Sequence, residues 1–200
     1  TTSREAYTRD NKEVQALMEK LEPAEDFYRV EKKTRKTKND GAWMNFPSVS
    51  LFSSTANADL TKFFKRMGCE ASTNAYSITG STPLVDSLLS VRYALYSEYI
   101  PNTDLVNYIQ ESGGTYLYEN LYTLPLGFVL PYDLADNWQY QMENPAEVQN
   151  DLCLLLGTDD VLVPVETEVS GSGCTFTADM AGEYYVYIQN KKGKNVKGSL

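Results

Sequence analysis

The chain has 200 residues, 42% of them apolar, enough for one domain with a buried core, or one domain and a small appendage. It carries 18 Lys and Arg against 27 Asp and Glu, a net charge of −9, and no histidine. The missing imidazole excludes Ser-His-Asp and Cys-His nucleophilic sites, His-ligated zinc and histidine acid–base steps. The acidic balance disfavours nucleic acid as a partner.

Taken in chain order, Arg9 to Leu21 reads as a helix with Val14, Leu17, Met18 and Leu21 on one face, ended by Pro23. Phe27 to Glu31 reads as a strand, with Phe27, Arg29 and Glu31 pointing one way and Tyr28 and Val30 the other. Lys32 to Gly41 is a charged loop that ends in the turn signal Asn39-Asp40-Gly41. A short strand follows at Val49–Phe52. Then comes a helix capped by Asn57 or Asp59, with Leu60, Phe63, Phe64 and Met67 as its core face and Gly68 at its end.

Pro83 opens a helix through Leu88, and Ser90 to Ser97 reads as a strand. Thr103 or Asp104 begins a helix with Leu105, Val106 and Ile109 inward, broken by Gly113-Gly114. Strands are expected at Thr115–Glu119, Leu126–Leu130 and Val161–Val165, and a helix over Pro145–Leu156. The last part changes character: Thr167 to Thr177 alternates with small residues, and Tyr184 to Gln189 alternates as a strand. The fold class is α+β (mixed α/β), a mixed sheet flanked by helices. Residues 1–164 form this domain, and 165–200 are a β-rich segment, the start of or an appendage to a β-sandwich.

No stretch is long enough to span a bilayer; the longest apolar run, Leu121 to Leu130, is interrupted by Pro125. Charge is uneven. Between Met67 and Asn190 a single basic residue, Arg92, stands against 17 acidic ones. Cys69, Cys153 and Cys174 are too few for a disulfide scaffold and leave the compartment open.

Three groups of residues invite a functional reading. Lys32, Lys33, Arg35, Lys36 and Lys38 form a dense basic run, suited to phosphate on lipid headgroups or on a polyanionic polymer, or simply a solvated loop. Tyr116, Tyr118, Asn120 and Tyr122 fall on one side of a strand beside Glu119. Rings, amide and carboxylate are what sugar recognition uses, and a structural strand end is the plainer reading. Arg29 is either a further ligand contact or half of a surface ion pair with Glu31, and Trp43 is a binding platform or core packing. Asp133/Asp136 and Asp159/Asp160 lack the marks of a catalytic or calcium pair. No cofactor, metal or catalytic residue is expected.

Five segments, in order over about residues 27 to 157, carry a family resemblance. They are Phe27-Tyr28-Arg29-Val30-Glu31; Val49 to Ser54 with Asn57 and the Phe64…Gly68 helix end; Leu88 to Leu95; Tyr118 to Phe128; and Asn144-Pro145 with Gln149-Asn150 and Leu155-Leu156-Gly157. Together they resemble the YfhO family of bacterial polytopic membrane proteins, in its extracytoplasmic region. Where that family often has Gly before the valine of the third segment, this chain has Ser90. The resemblance implies a membrane-embedded, glycosyltransferase-like parent. Such a parent takes sugar from a polyprenyl-phosphate carrier and places it on an envelope polymer such as teichoic acid. It implies further that the catalytic acidic residue lies in a membrane-proximal loop outside this chain, so that the chain is a non-catalytic accessory domain at the outer face. The partners it implies are the remainder of its own membrane-embedded chain and an anionic envelope polymer or lipid headgroups. A carbohydrate-binding or protein-interaction ectodomain is the alternative.

Overall fold

The computed structural model describes residues 3–21, 26–170, 173–178, 180 and 182–187. Two helices open the chain, α1 (Arg4–Thr8) and α2 (Asn11–Glu19), followed by β1 (Arg29–Lys32), α3 (Asp40–Met44), β2 (Leu51–Phe52) and α4 (Ala58–Arg66). Next come β3 (Ala71–Ser72), β4 (Ala75–Tyr76), α5 (Pro83–Leu88), β5 (Val91–Tyr96), β6 (Val106–Ser112) and β7 (Thr115–Asn120). The remainder holds α6 (Leu134–Asn137), α7 (Pro145–Leu155), β8 (Thr167–Ser170) and β9 (Gly173–Phe176).

The main sheet has the order β1-β5-β7-β6, with β1 parallel to β5 and the other pairs antiparallel. This is the mixed sheet of an α+β fold. Val30, Tyr93, Leu95 and Leu117 share one face by register, and Val14 and Leu17 of α2 bury against it together with Met44 and Phe46. The apolar stripe of α2 supplies that contact, since each of its buried residues removes hydrocarbon from water. On the opposite face Tyr118 is wholly buried between Tyr96 and Tyr108, with ring centroids 5.2 and 5.6 Å away in edge-to-face geometry.

A second core lies beside the small sheet β2-β4-β3. There Phe64 of α4 stacks on Tyr76 at 4.6 Å, and Met67, Val85 and Val148 close the cluster. Gln149 of α7 ties it together, donating to Met67 O at 3.1 Å and accepting from the hydroxyl of Thr82, the N-cap of α5. The Asn57 side chain caps α4 by accepting from Asp59 N and Leu60 N.

Several expectations are corrected. The segment from Thr103 is not a helix. Val106–Ser112 is strand β6, hairpinned to β7 through Gly113 and Gly114, both at positive φ. Its half-buried and exposed residues alternate along the strand, and Leu105 and Ile109 are exposed. Leu126–Leu130 pairs with no strand. It sits between Pro125 and Pro131 in an exposed segment, where Val129 is 98% and Tyr132 103% exposed. Val161–Val165 is likewise irregular, held instead by Asn150, whose side chain donates to Leu162 O and accepts from Leu162 N. Asn39-Asp40-Gly41 starts a helix rather than a turn. A side chain on Gly41 would meet the Ser48 Cβ at 2.4 Å, so the close approach, not φ, requires glycine. Leu60 is exposed and lies off the core face of α4.

Among the described residues β8 and β9 pair with each other as a two-stranded hairpin. Tyr184 to Tyr187 forms no strand; the expected continuation at Ile188 and Gln189 lies outside the described residues. All three cysteines are free, Cys69 and Cys153 buried and Cys174 exposed.

Candidate ligand cleft

The residues singled out in the sequence do not form one site. Tyr118 is fully buried, and its hydroxyl donates to Ile100 O and accepts from Ile100 N, both at 2.8 Å. It braces the 97–105 connection. Glu119 accepts from Arg92 Nε at 2.9 Å, a half-exposed pair of small energetic weight. Tyr116 is half-buried and faces Tyr99, with centroids 6.1 Å apart. Trp43 is about half exposed on α3.

Arg29 and Glu31 are not a surface ion pair. Arg29 donates to Leu89 O at 2.7 Å and lies 4.9 Å over the Phe27 ring. Glu31 is 1% exposed. Its Oε1 accepts from Ser48 Oγ at 2.8 Å, Val49 N and Ser50 N, and its Oε2 from Ser50 Oγ at 2.9 Å. The carboxylate therefore fastens β1 to the Ser48–Ser50 loop.

The basic run is met by acidic side chains of the fold itself. Lys32 and Lys36 both lie 3.7 Å from Asp10, Lys33 is 2.9 Å from Asp86, and Arg35 and Lys38 both engage Glu70. The Lys38 and Ser77 hydrogen bonds, with Arg35 nearby, pull the Glu70 carboxyl down to about 2. The positive charge is largely spent on intramolecular pairs.

One cleft gathers groups that point to a ligand. It is lined by Lys33 after β1, Ser81, Pro83, Asp86 and Ser87 around α5, Tyr96 of β5, Asn120 and Tyr122 at the end of β7, and Glu183 and Tyr185 from the chain's last described segment. Its inner space is about 70 Å³, with a mouth open to solvent. Ser87 Oγ donates to Tyr122 O, and Asn120 Nδ2 donates to Val91 O at 2.7 Å, so both are anchored. Burial works against the Lys33 ammonium, yet Asp86 beside it raises its pKa above the ordinary lysine value. Lys33 is therefore charged at neutral pH. Burial, with the Lys33 charge opposing it, pushes the Tyr96 phenol up. For Tyr185, burial and the hydrogen bond to Glu183 act in the same upward direction. Both phenols are hydrogen-bonding hydroxyls, not nucleophiles, at neutral pH.

Two oxygens in this cleft have no hydrogen-bond partner although they are buried: Asp86 Oδ1 and Ser81 Oγ. Sequence reading named Lys33 and Asn120 but missed Asp86, Ser81 and Tyr96. The signal for Asp86 was present, a lone carboxylate inside the apolar stretch Leu84-Val85-Asp86-Ser87-Leu88-Leu89. Among the described residues no group of three or more Cys, Asp or Glu side chains is placed to hold a metal ion, and no helix is long and apolar enough to cross a membrane.

Comparison with known proteins adds one match: residues 1–161 fit the family model described as bacterial membrane protein YfhO. No curated protein and no solved structure matches the chain.

Proposed function

This chain belongs to the YfhO family of bacterial membrane proteins, and from that membership we propose that it is the soluble extracytoplasmic accessory domain of a membrane-embedded, glycosyltransferase-like protein. The parent uses a polyprenyl-phosphate sugar to decorate an envelope polymer of the teichoic-acid kind. The domain holds or orients the glycosylated polymer and does no chemistry of its own.

The observation that carries this reading is the cleft between α5 and the β5–β7 strands. It offers tyrosine rings, an amide, an ammonium and a buried carboxylate side by side, a combination that binds hydroxylated rings. The exposed stretch from Leu121 to Tyr132 contains no charged residue, and its Leu126, Val129 and Tyr132 face solvent. That is a surface for contact with the remainder of the same membrane-embedded chain. The five cations of the basic loop are partly offset by three carboxylates, Asp10, Asp86 and Glu70, so the loop contributes less to phosphate contact than its sequence suggests.

The test is the sugar content of envelope polymers from cells lacking the gene, compared with cells complemented by the full-length protein. Loss of one sugar modification in the deletion, restored by the full-length protein, supports the reading. Unchanged sugar content on every envelope polymer contradicts it.

A further inference from the structure

We infer that the Ser81–Asp86 cleft is a binding site for one edge of a neutral glycosyl ring, and that it discriminates against phosphorylated ligands. The inference rests on the reading of this chain as a polymer-facing domain and names what that domain recognises.

The argument begins with the two unpartnered oxygens. A buried oxygen without a hydrogen bond is destabilising, and native folds leave few of them. Here Asp86 Oδ1 and Ser81 Oγ are both in that condition and both belong to the wall of the same cleft. Asp86 is 7% exposed, and its other oxygen is held by Lys33 at 2.9 Å. Oδ2 already accepts from the Lys33 ammonium, and the neighbouring Oδ1 is an acceptor atom, so the missing partner is a donor. A hydroxyl serves Asp86 as a donor and can serve Ser81 as donor or acceptor. Two such needs in the wall of one cleft match the several hydroxyls of one ring. A ring hydroxyl seated in the cleft would supply that partner.

The walls fit the same ligand. Tyr122 is 59% exposed at the mouth and Tyr185 41%, so ring faces are available for stacking on sugar C–H groups. The inner space of about 70 Å³ admits the hydroxylated edge of a single ring and leaves the rest of a polymer in solvent. Charge sets the selectivity. Lys33 is already matched by Asp86, and Glu183 adds a further carboxylate to the lining. Among the described residues no lining cation is left over for a phosphate.

The full 200-residue chain, isotopically labelled, is titrated by NMR with methyl glucoside, methyl galactoside, methyl N-acetylglucosaminide, glucose 1-phosphate and glycerol 3-phosphate. Saturable shifts are expected at the amides of 81–82, 84–87 and 120–122 with at least one neutral glycoside, and at least tenfold weaker binding of the phosphate esters. Ser81→Ala should weaken the neutral ligand about tenfold, the loss of one hydrogen bond in a desolvated site. Tyr122→Ala should weaken it at least threefold. Thermal melting checks each fold, and the exposed Tyr122 variant carries the test if Ser81→Ala does not fold. Absence of saturable shifts with all three glycosides overturns the inference. So does tighter binding of a phosphate ester, or affinity unchanged in the folded variants. If binding fails here while gene deletion still removes a polymer sugar, the site is wrong and the functional reading stands.

Discussion

Replacing Glu31 probes the least expected charge in the molecule. Its carboxylate is 1% exposed and receives four hydrogen bonds from Ser48, Val49 and Ser50. Glu31→Ala removes the acceptor and leaves the half-buried Val49 N without this partner. Ser50 N keeps a bond to Ser48 Oγ at 3.1 Å, and the two hydroxyls can turn elsewhere. One orphaned backbone donor, the lost charge-assisted bonds and the missing methylenes together give about 3 kcal/mol of destabilisation. Glu31→Gln keeps one acceptor oxygen and lets Ser50 Oγ reverse its role, so about 1 kcal/mol is expected. Urea unfolding followed by tryptophan fluorescence measures both. With a slope of about 2 kcal/mol per molar, the alanine variant shifts the midpoint by about 1.5 M. Arg29→Ala in the same background should add to Glu31→Ala within about 0.5 kcal/mol, because the two side chains have separate partners. An alanine cost below about 1 kcal/mol, or strong coupling to Arg29, would mean that the two form a surface ion pair after all and would refute the buried assignment.

Three further outcomes are expected. Glu70 is ionised in the folded state down to about pH 2, so its contribution is complete above its ordinary value of 4.5 and is lost as pH falls from there towards 2. Its side chain is 45% exposed, so Glu70→Gln should flatten the acid limb of the stability curve by less than about 1 kcal/mol; an unchanged acid limb counts against the Lys38–Glu70 contact. Ser90 sits at φ +55° with only 1% exposure. Ser90→Gly should stabilise the fold by up to about 1 kcal/mol and Ser90→Val should cost at least about 2, as thermal melting will show; a destabilising glycine would deny the backbone argument. Finally, the native chain should react with maleimide at Cys174 alone, and at all three cysteines in denaturant. Cys69 is buried with its thiol pushed up to about 12, and Cys153 is buried as well. Mass spectrometry counts the adducts, and rapid native labelling of Cys69 would contradict its place in the core.

What the sequence disclosed follows from which signals are local. Helix α2 carries an apolar stripe, and α4 and α7 carry caps, with Asn57 accepting from Asp59 N and Leu60 N, and Asn144 from Ala146 N, so all three were legible. Strand β6 was misread because Leu105, Val106 and Ile109 also fit a helical face; the Gly113-Gly114 hairpin and its pairing with β7 decided against that reading. Leu126–Leu130 has strand composition but no neighbour to pair with. Ser90 explains why glycine suits that position in the resembling family: the chain turns there with positive φ before entering β5. The cleft was the least legible part. Lys33, the Ser81–Asp86 stretch, Asn120 and Tyr185 lie far apart in the chain, and the β1–β5 and β5–β7 pairings bring β1, which leads into Lys33, and β7, which ends on Asn120, into one sheet. Likewise, no local pattern shows that Asp10 and Glu70 would meet the basic run.

The proposed extracytoplasmic position of this domain is tested most directly by topology. Cys174 is exposed, so in intact cells carrying the full-length protein it should be modified by a membrane-impermeant maleimide, and Cys174→Ser should abolish the label on this domain. Labelling of Cys174 that appears only after the membrane is permeabilised would place the domain on the cytoplasmic side and contradict the proposed function.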